Sequence, residues 1–153
     1  MVSVDPGDPH VGVAVWSRSS VDAVEWQLET AVETTPNAFL DDLFDRCQKS
    51  QGGFVVAYER FLLRGGRAAL AQTGSELGVV QTIGALKWIA RACSTEVIGV
   101  TPSERASARA RMRGVGFPFP RGATDHARDA AAVGAYAVGW SATWSTLAPE
   151  ARL

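Results

Sequence analysis

Three β-type runs come first in this chain, and helical runs alternate with strands only afterwards, an order that few layered architectures accept. Residues 1–5 are short and apolar, residues 6–10 supply a turn, and residues 11–16 are rich in the β-branched side chains of buried strands. Apolar and polar side chains alternate over residues 24–30, which predicts a third, more exposed strand. Thr34-Thr35-Pro36 predicts an N-cap with proline in the first helical turn, and Phe39, Leu40, Leu43, Phe44 and Cys47 give that helix its apolar face. Gly52-Gly53 ends it, and residues 54–59 read as a buried strand. A loop with paired glycines and three arginines, residues 60–67, leads to a long helix over residues 69–93. Residues 96–100 form the fifth strand, Pro102 opens a basic helix, and residues 114–123 are a Gly/Pro loop holding Phe117 and Phe119. The last helix spans residues 124–144 with Trp140 and Trp144 on one face. The order β-β-β-α-β-α-β-α-α predicts an α/β fold, a mixed five-stranded sheet flanked by helices.

With 153 residues, one domain over residues 1–148 and a short tail over 149–153 are expected. Apolar residues at 46% and charged residues at 20% exclude a disordered chain. The longest apolar region, residues 77–92, is interrupted by Gln81, Lys87 and Arg91, so neither a membrane span nor a signal peptide is expected. Cys47 and Cys93 are far apart with no CxxC pair, which excludes a zinc knuckle or disulfide framework and points to reduced cysteines and the cytoplasm. Charge is unevenly spread. Residues 1–57 hold nine acids and three bases, whereas residues 58–121 hold four acids and ten bases. That basic middle third suits a phosphate-binding face, while an overall pI of 6.1 is not that of a general DNA coater.

Four metal-competent side chains fall at element ends. Asp5 closes the first strand, Glu59 closes the fourth, and His126 and Asp129 share one face at the start of the last helix. In a mixed sheet, Asp5 and Glu59 can lie on neighbouring strands with His126 and Asp129 delivered above them. Mg²⁺ prefers oxygen ligands and keeps several waters, so carboxylates from separate elements suffice. Two such ions ~4 Å apart stabilise both the attacking and the leaving oxygen of a phosphodiester. Each residue also has a local reading. Asp5 suits an Asx-type turn, Glu59 a pair with Arg60 or Arg64, and Asp129 the helix dipole. Asp125 is either an N-cap or a competing ligand sharing a face with Asp129. His126 is either a ligand or a proton-transfer group, since imidazole binds Mg²⁺ less well than carboxylate does and titrates near ~6.5. His10 reads as a surface histidine.

Arg60, Arg64, Arg67, Arg105, Arg109, Arg111 and Arg113 are candidate phosphate contacts, arginine being suited to bidentate phosphate binding. Phe61, Phe117 and Phe119 either pack in the core or wedge an opened base step. The stripe Gly74, Gly78 and Ala85 on the long helix permits close approach, to a partner copy or within the domain.

These segments resemble the RuvC family of Holliday-junction resolvases, within the ribonuclease-H-like superfamily, over nearly the whole chain. VSVDPGDPHVGVAVW is similar to that family's first hairpin, FVVAYERF to its glutamate strand, and SELGVVQTIGALKWIAR to its dimerisation helix. DHARDAAAVGAYA resembles its last catalytic helix in the variant with histidine at the first ligand position. The resemblance implies Mg²⁺- or Mn²⁺-dependent cleavage of branched DNA by a homodimer, with two ions held by Asp5, Glu59, His126 and Asp129. The chain's compactness suits a phage-encoded member. It departs from the family in carrying Arg105, Arg109, Arg111 and Arg113 where lysines are common, and Phe61 takes the place of an aromatic after the glutamate strand. Other readings on the same fold are a flap, fork or RNA-strand nuclease, or a junction-binding protein with altered catalysis. An actin-like phosphotransferase also begins with an Asp-x-Gly hairpin, but it needs a second domain and further phosphate loops than 153 residues supply.

Overall fold

The structure is a computed structural model and describes residues 1–18, 26–50, 54–61 and 75–139. Strands β1 (Val2–Asp5), β2 (Val11–Arg18) and β3 (Trp26–Thr34) pair antiparallel, while β4 (Val55–Glu59) runs parallel to β1 and β5 (Glu96–Val100) parallel to β4. The strand order is β3-β2-β1-β4-β5, the expected mixed five-stranded α/β sheet. Four described helices flank it: α1 (Pro36–Lys49), α2 (Ser75–Ala92), α3 (Pro102–Gly114) and α4 (Asp125–Ala137).

Several expected boundaries move. The third strand runs on to Thr34, because β2 offers partners as far as the Val11–Thr34 pair; residues 24 and 25 lie outside the described residues. Thr35 is the N-cap of α1 with Pro36 following it, as the Thr34-Thr35-Pro36 run predicts, and it accepts from the Ala38 amide at 3.4 Å. The last helix stops at Ala137, where Val138 caps it and Gly139 takes a left-handed φ of 66°. Gly52-Gly53, the start of the long helix at residues 69–74, Trp140, Trp144 and the tail 149–153 lie outside the described residues. Among the described residues, no helix is long and apolar enough to cross a membrane.

Side chains alternate across a strand, and this period decides which carboxylates meet. Val2 and Val4 of β1, with Val56 and Tyr58 of β4, pack into one core with Phe39 and Leu43 of α1 and Val79, Ile83 and Leu86 of α2. The intervening residues face the other way. Ser3 is buried against Trp16, and Ala57 packs with Val100 and Val133 of α4. Asp5 and Glu59 continue that second set, so both emerge on the face covered by α4.

Helix α4 lies close to the sheet because its inner face is nearly all small: Ala127, Ala130, Ala131, Gly134 and Ala135 are buried. Two glycines set the approach. A Cβ on Gly12 of β2 would fall on the His126 carbonyl, and one on Gly134 would fall on Trp16 Nε1 and 2.5 Å from Ser3 Oγ. Gly134→Ala should therefore lower stability by about 1–3 kcal/mol, as overpacked cores do, despite alanine's better helix propensity. Urea unfolding checks this, and an unchanged midpoint would show that the helix has room to spare.

Candidate functional site

Helix caps fix the phase of the site. Thr124 caps α4, its hydroxyl accepting from the Ala127 amide at 3.2 Å. Asp125 is thus the first helical residue and not the N-cap. Its side chain is 86% exposed. Helix α3 starts with a full capping box, in which Thr101 accepts from the Glu104 amide and Glu104 accepts from the Thr101 amide at 2.7 Å. The two helices then present Arg105 and Arg109 to Asp129.

Asp5, Glu59, His126 and Asp129 line one cleft of about 270 Å³, together with Pro6, Arg60, Phe61, Val79 and Arg105. Asp5 Oδ2 lies 2.7 Å from His126 Nδ1. Arg105 joins the other two carboxylates, its Nε 3.1 Å from Glu59 Oε2 and a terminal nitrogen 2.6 Å from Asp129 Oδ2. The second Asp129 oxygen is held by Arg109, which also reaches the Asp125 carboxylate at 3.0 Å and its carbonyl at 3.2 Å.

Burial dominates the electrostatics of the cleft. Burial pushes the Glu59 carboxyl up to about 7, and the adjacent Asp5 and Asp129 add to the effect while Arg105 opposes it. The hydrogen bond to Asp5 raises the His126 imidazole above its ordinary value, against the effect of burial. Glu33, level with Gly12 on β3, adds to that rise and lies 3.5 Å from His10 Nδ1. His10 is itself largely exposed, as a surface histidine should be.

The donor set fits a hard divalent ion, because three carboxylates and an imidazole share one cleft. As the side chains stand, no three described His, Cys, Asp or Glu residues form a ready ligand group. Asp5 is turned to His126, and Asp129 to the two arginines.

A second cleft of about 520 Å³ adjoins the first through Arg105 and Asp129, and is lined also by Arg109, Arg113 and Asp125. Arg105, Arg109 and Arg113 recur every fourth residue and so form one row along α3. Arg111 is exposed but does not line this cleft; Arg60 is exposed at the rim of the first. Arg64 and Arg67 lie outside the described residues. Arg105 and Arg109, expected to face phosphate, are engaged by carboxylates. Sequence spacing shows that they share a helix face but not that α4 brings Asp129 to it. Phe61 lines the first cleft and packs against the α1/α2 core. Phe117 and Phe119 pack edge-to-face at 5.2 Å beneath α4 and are core anchors.

Of the small-residue stripe, Gly74 lies outside the described residues, and Ala85 is half-buried. At Gly78 an added Cβ would crowd the carboxylate of Asp8, an exposed side chain of the β1–β2 turn. The exposed apolar face of α2 is instead Val80 (42% exposed) and Trp88 (68% exposed), with open space around Gly84 between them.

No protein-family model matches the chain, and no curated protein matches it in sequence. Solved structures do match in shape. RuvC from Thermus thermophilus superposes with a TM-score of 0.60 at 18% identity, covering 95% of this chain and 98% of that one. T. thermophilus RuvC in complex with a Holliday junction substrate gives 0.63 at 16% identity, covering 89% and 91%. With its five-stranded mixed sheet and flanking helices, the chain has a RuvC-like, ribonuclease-H-like α/β fold.

Proposed function

We propose that this chain is a divalent-metal-dependent endodeoxyribonuclease that cuts four-way junctions and related branched DNA as a homodimer. The observation that carries the reading is the convergence of Asp5, Glu59, His126 and Asp129 in one cleft beside an arginine row. A junction is favoured over plain duplex because one structure of similar fold holds a Holliday junction substrate.

Asp5, Glu59, His126 and Asp129 would hold Mg²⁺ or Mn²⁺, which supplies Lewis-acid stabilisation of the oxygens at the scissile phosphate. Glu59 orients the attacking water, and His126, its ring held by Asp5 at 2.7 Å, is the candidate proton-transfer group if it is not itself a ligand. Arg113 guides the phosphate backbone along the second cleft, setting affinity and salt dependence without reading sequence. The test is to compare end-labelled four-way junction, flap and linear duplex DNA under Mg²⁺. Preferential symmetric incision of the junction is expected; equal cutting of linear duplex, or none of any substrate, contradicts the proposal.

Two strands of a junction must be cut, and a two-fold dimer supplies two sites. Val80, Gly84 and Trp88 are the residues through which α2 would meet its counterpart, an exposed tryptophan being a common interface anchor. Trp88→Glu is expected to shift micromolar protein from dimer to monomer in sedimentation and to uncouple the paired incisions. Gly78→Arg is the poorer probe, since it disturbs Asp8 within the same chain. A monomeric wild-type protein that still makes paired cuts would contradict the dimer.

A further inference from the structure

We propose that Arg105 is a built-in occupant of the cation site, neutralising Glu59 and Asp129 until a divalent ion arrives and then passing to a DNA phosphate in the adjoining cleft. The inference rests on the metal-site reading above.

Three observations lead to it. Arg105 spans Glu59 and Asp129 at 3.1 and 2.6 Å, so its guanidinium stands between two of the four candidate ligands. The same side chain lines both clefts, and helix α3 beneath it is anchored by the Thr101–Glu104 capping box. It can therefore swing from one cleft to the other by rotating its side chain while the helix stays in place. Lastly, Arg105 Nε is buried without a well-aligned hydrogen-bond acceptor, although it lies within ion-pair distance of Glu59. One charge-assisted hydrogen bond, to Asp129 Oδ2, and an unaligned ion pair with Glu59 hold it there. Arg109 differs, with contacts to the Asp129 carboxylate and to both the side chain and carbonyl of Asp125. Arg109 is the fixed clamp between α3 and α4, and Arg105 the movable cation.

Guanidinium and a divalent ion cannot share a half-buried pair of carboxylates, because their mutual repulsion is poorly screened there. Arg105 must leave before the site fills. Once released it lies beside Arg109 and Arg113, where a phosphate offers the bidentate oxygens it has just lost. Metal loading and DNA engagement are thereby coupled, each drawing Arg105 in the same direction.

The experiment is calorimetric titration of DNA-free protein with Mn²⁺ at pH 8, for wild type, Arg105→Gln, Arg105→Lys and Asp129→Asn. Arg105→Gln should bind Mn²⁺ on the order of tenfold more tightly than wild type, a usual size for one coupling. Arg105→Lys should fall between them, a point charge bridging two carboxylates less well. Asp129→Asn should bind most weakly. In wild-type protein, the Arg105 Nε–H resonance, assigned by its loss in Arg105→Lys, should shift and exchange faster as Mg²⁺ is added. With Ca²⁺ holding off cleavage, Arg105→Gln should reduce the slope of log affinity for a junction against log salt by about one. Unchanged Mn²⁺ affinity in folded Arg105→Gln would overturn the proposal. An Arg105 resonance unmoved by saturating Mg²⁺ would do so too, even if the glutamine variant fails to fold. An unchanged salt slope would overturn the transfer to phosphate. Absence of Mn²⁺ binding in every variant would overturn the metal-site reading itself and this inference with it.

Discussion

Glu59→Gln, Asp5→Asn and Asp129→Asn are each expected to lower junction cleavage by on the order of 10³-fold while leaving junction binding largely intact, the loss being that of one pre-positioned charge at a reacting phosphate. Glu59→Gln keeps the size of the side chain but removes the charge that faces Arg105 Nε at 3.1 Å. Asp5→Asn removes the charge that holds His126, and Asp129→Asn weakens the Arg105 and Arg109 ties between α3 and α4. All three variants need a melting curve beside the cleavage assay. Retained cleavage in any two of the three would remove the assignment.

Nearly as large an effect is expected at His126. Its ring is half exposed, sits at the mouth of the cleft and is oriented by Asp5 at 2.7 Å. His126→Ala should reduce turnover about 10²–10⁴-fold, the range for loss of a positioned acid–base group. His126→Asp should retain substantial activity, because a carboxylate at the same helical position still faces Asp5 and serves as a ligand. Asp125→Ala should be mild, since its side chain is 86% exposed and lines the neighbouring cleft. Single-turnover cleavage of a labelled junction separates these outcomes. A severe Asp125→Ala beside a mild His126→Ala would mean that the functional face of α4 is turned by one residue.

The sheet was legible because period and punctuation agree along most of the chain. Val2, Val4, Val56 and Tyr58 mark one face, Ser3 and Ala57 the other, and that alternation alone carries Asp5 and Glu59 to the same side. The face of α4 was legible through the i, i+3 spacing of His126 and Asp129, whereas its cap is Thr124 and not the Asp125 that the sequence offered. What spacing conveys poorly is contact between elements distant in sequence. The arginines of α3 show as a basic row, yet their pairing with Glu59 and Asp129 depends on how α3 and α4 dock, which local pattern does not encode. Gly78 shows the same limit, since an added Cβ there would crowd Asp8 from across the fold. Trp88 did leave a signal, an indole four residues beyond Gly84 and flanked in sequence by Lys87 and Arg91. Strand ends proved elastic for a related reason. A strand continues as long as its neighbour offers hydrogen bonds, and β2 carries β3 to Thr34.

The most direct measurement is anomalous diffraction at the manganese edge from crystals grown with Mn²⁺. Anomalous density is expected in the cleft bounded by Asp5, Glu59, His126 and Asp129, with Arg105 turned away from Glu59. Crystals that bind Mn²⁺ only elsewhere, with Arg105 still spanning Glu59 and Asp129, would contradict it.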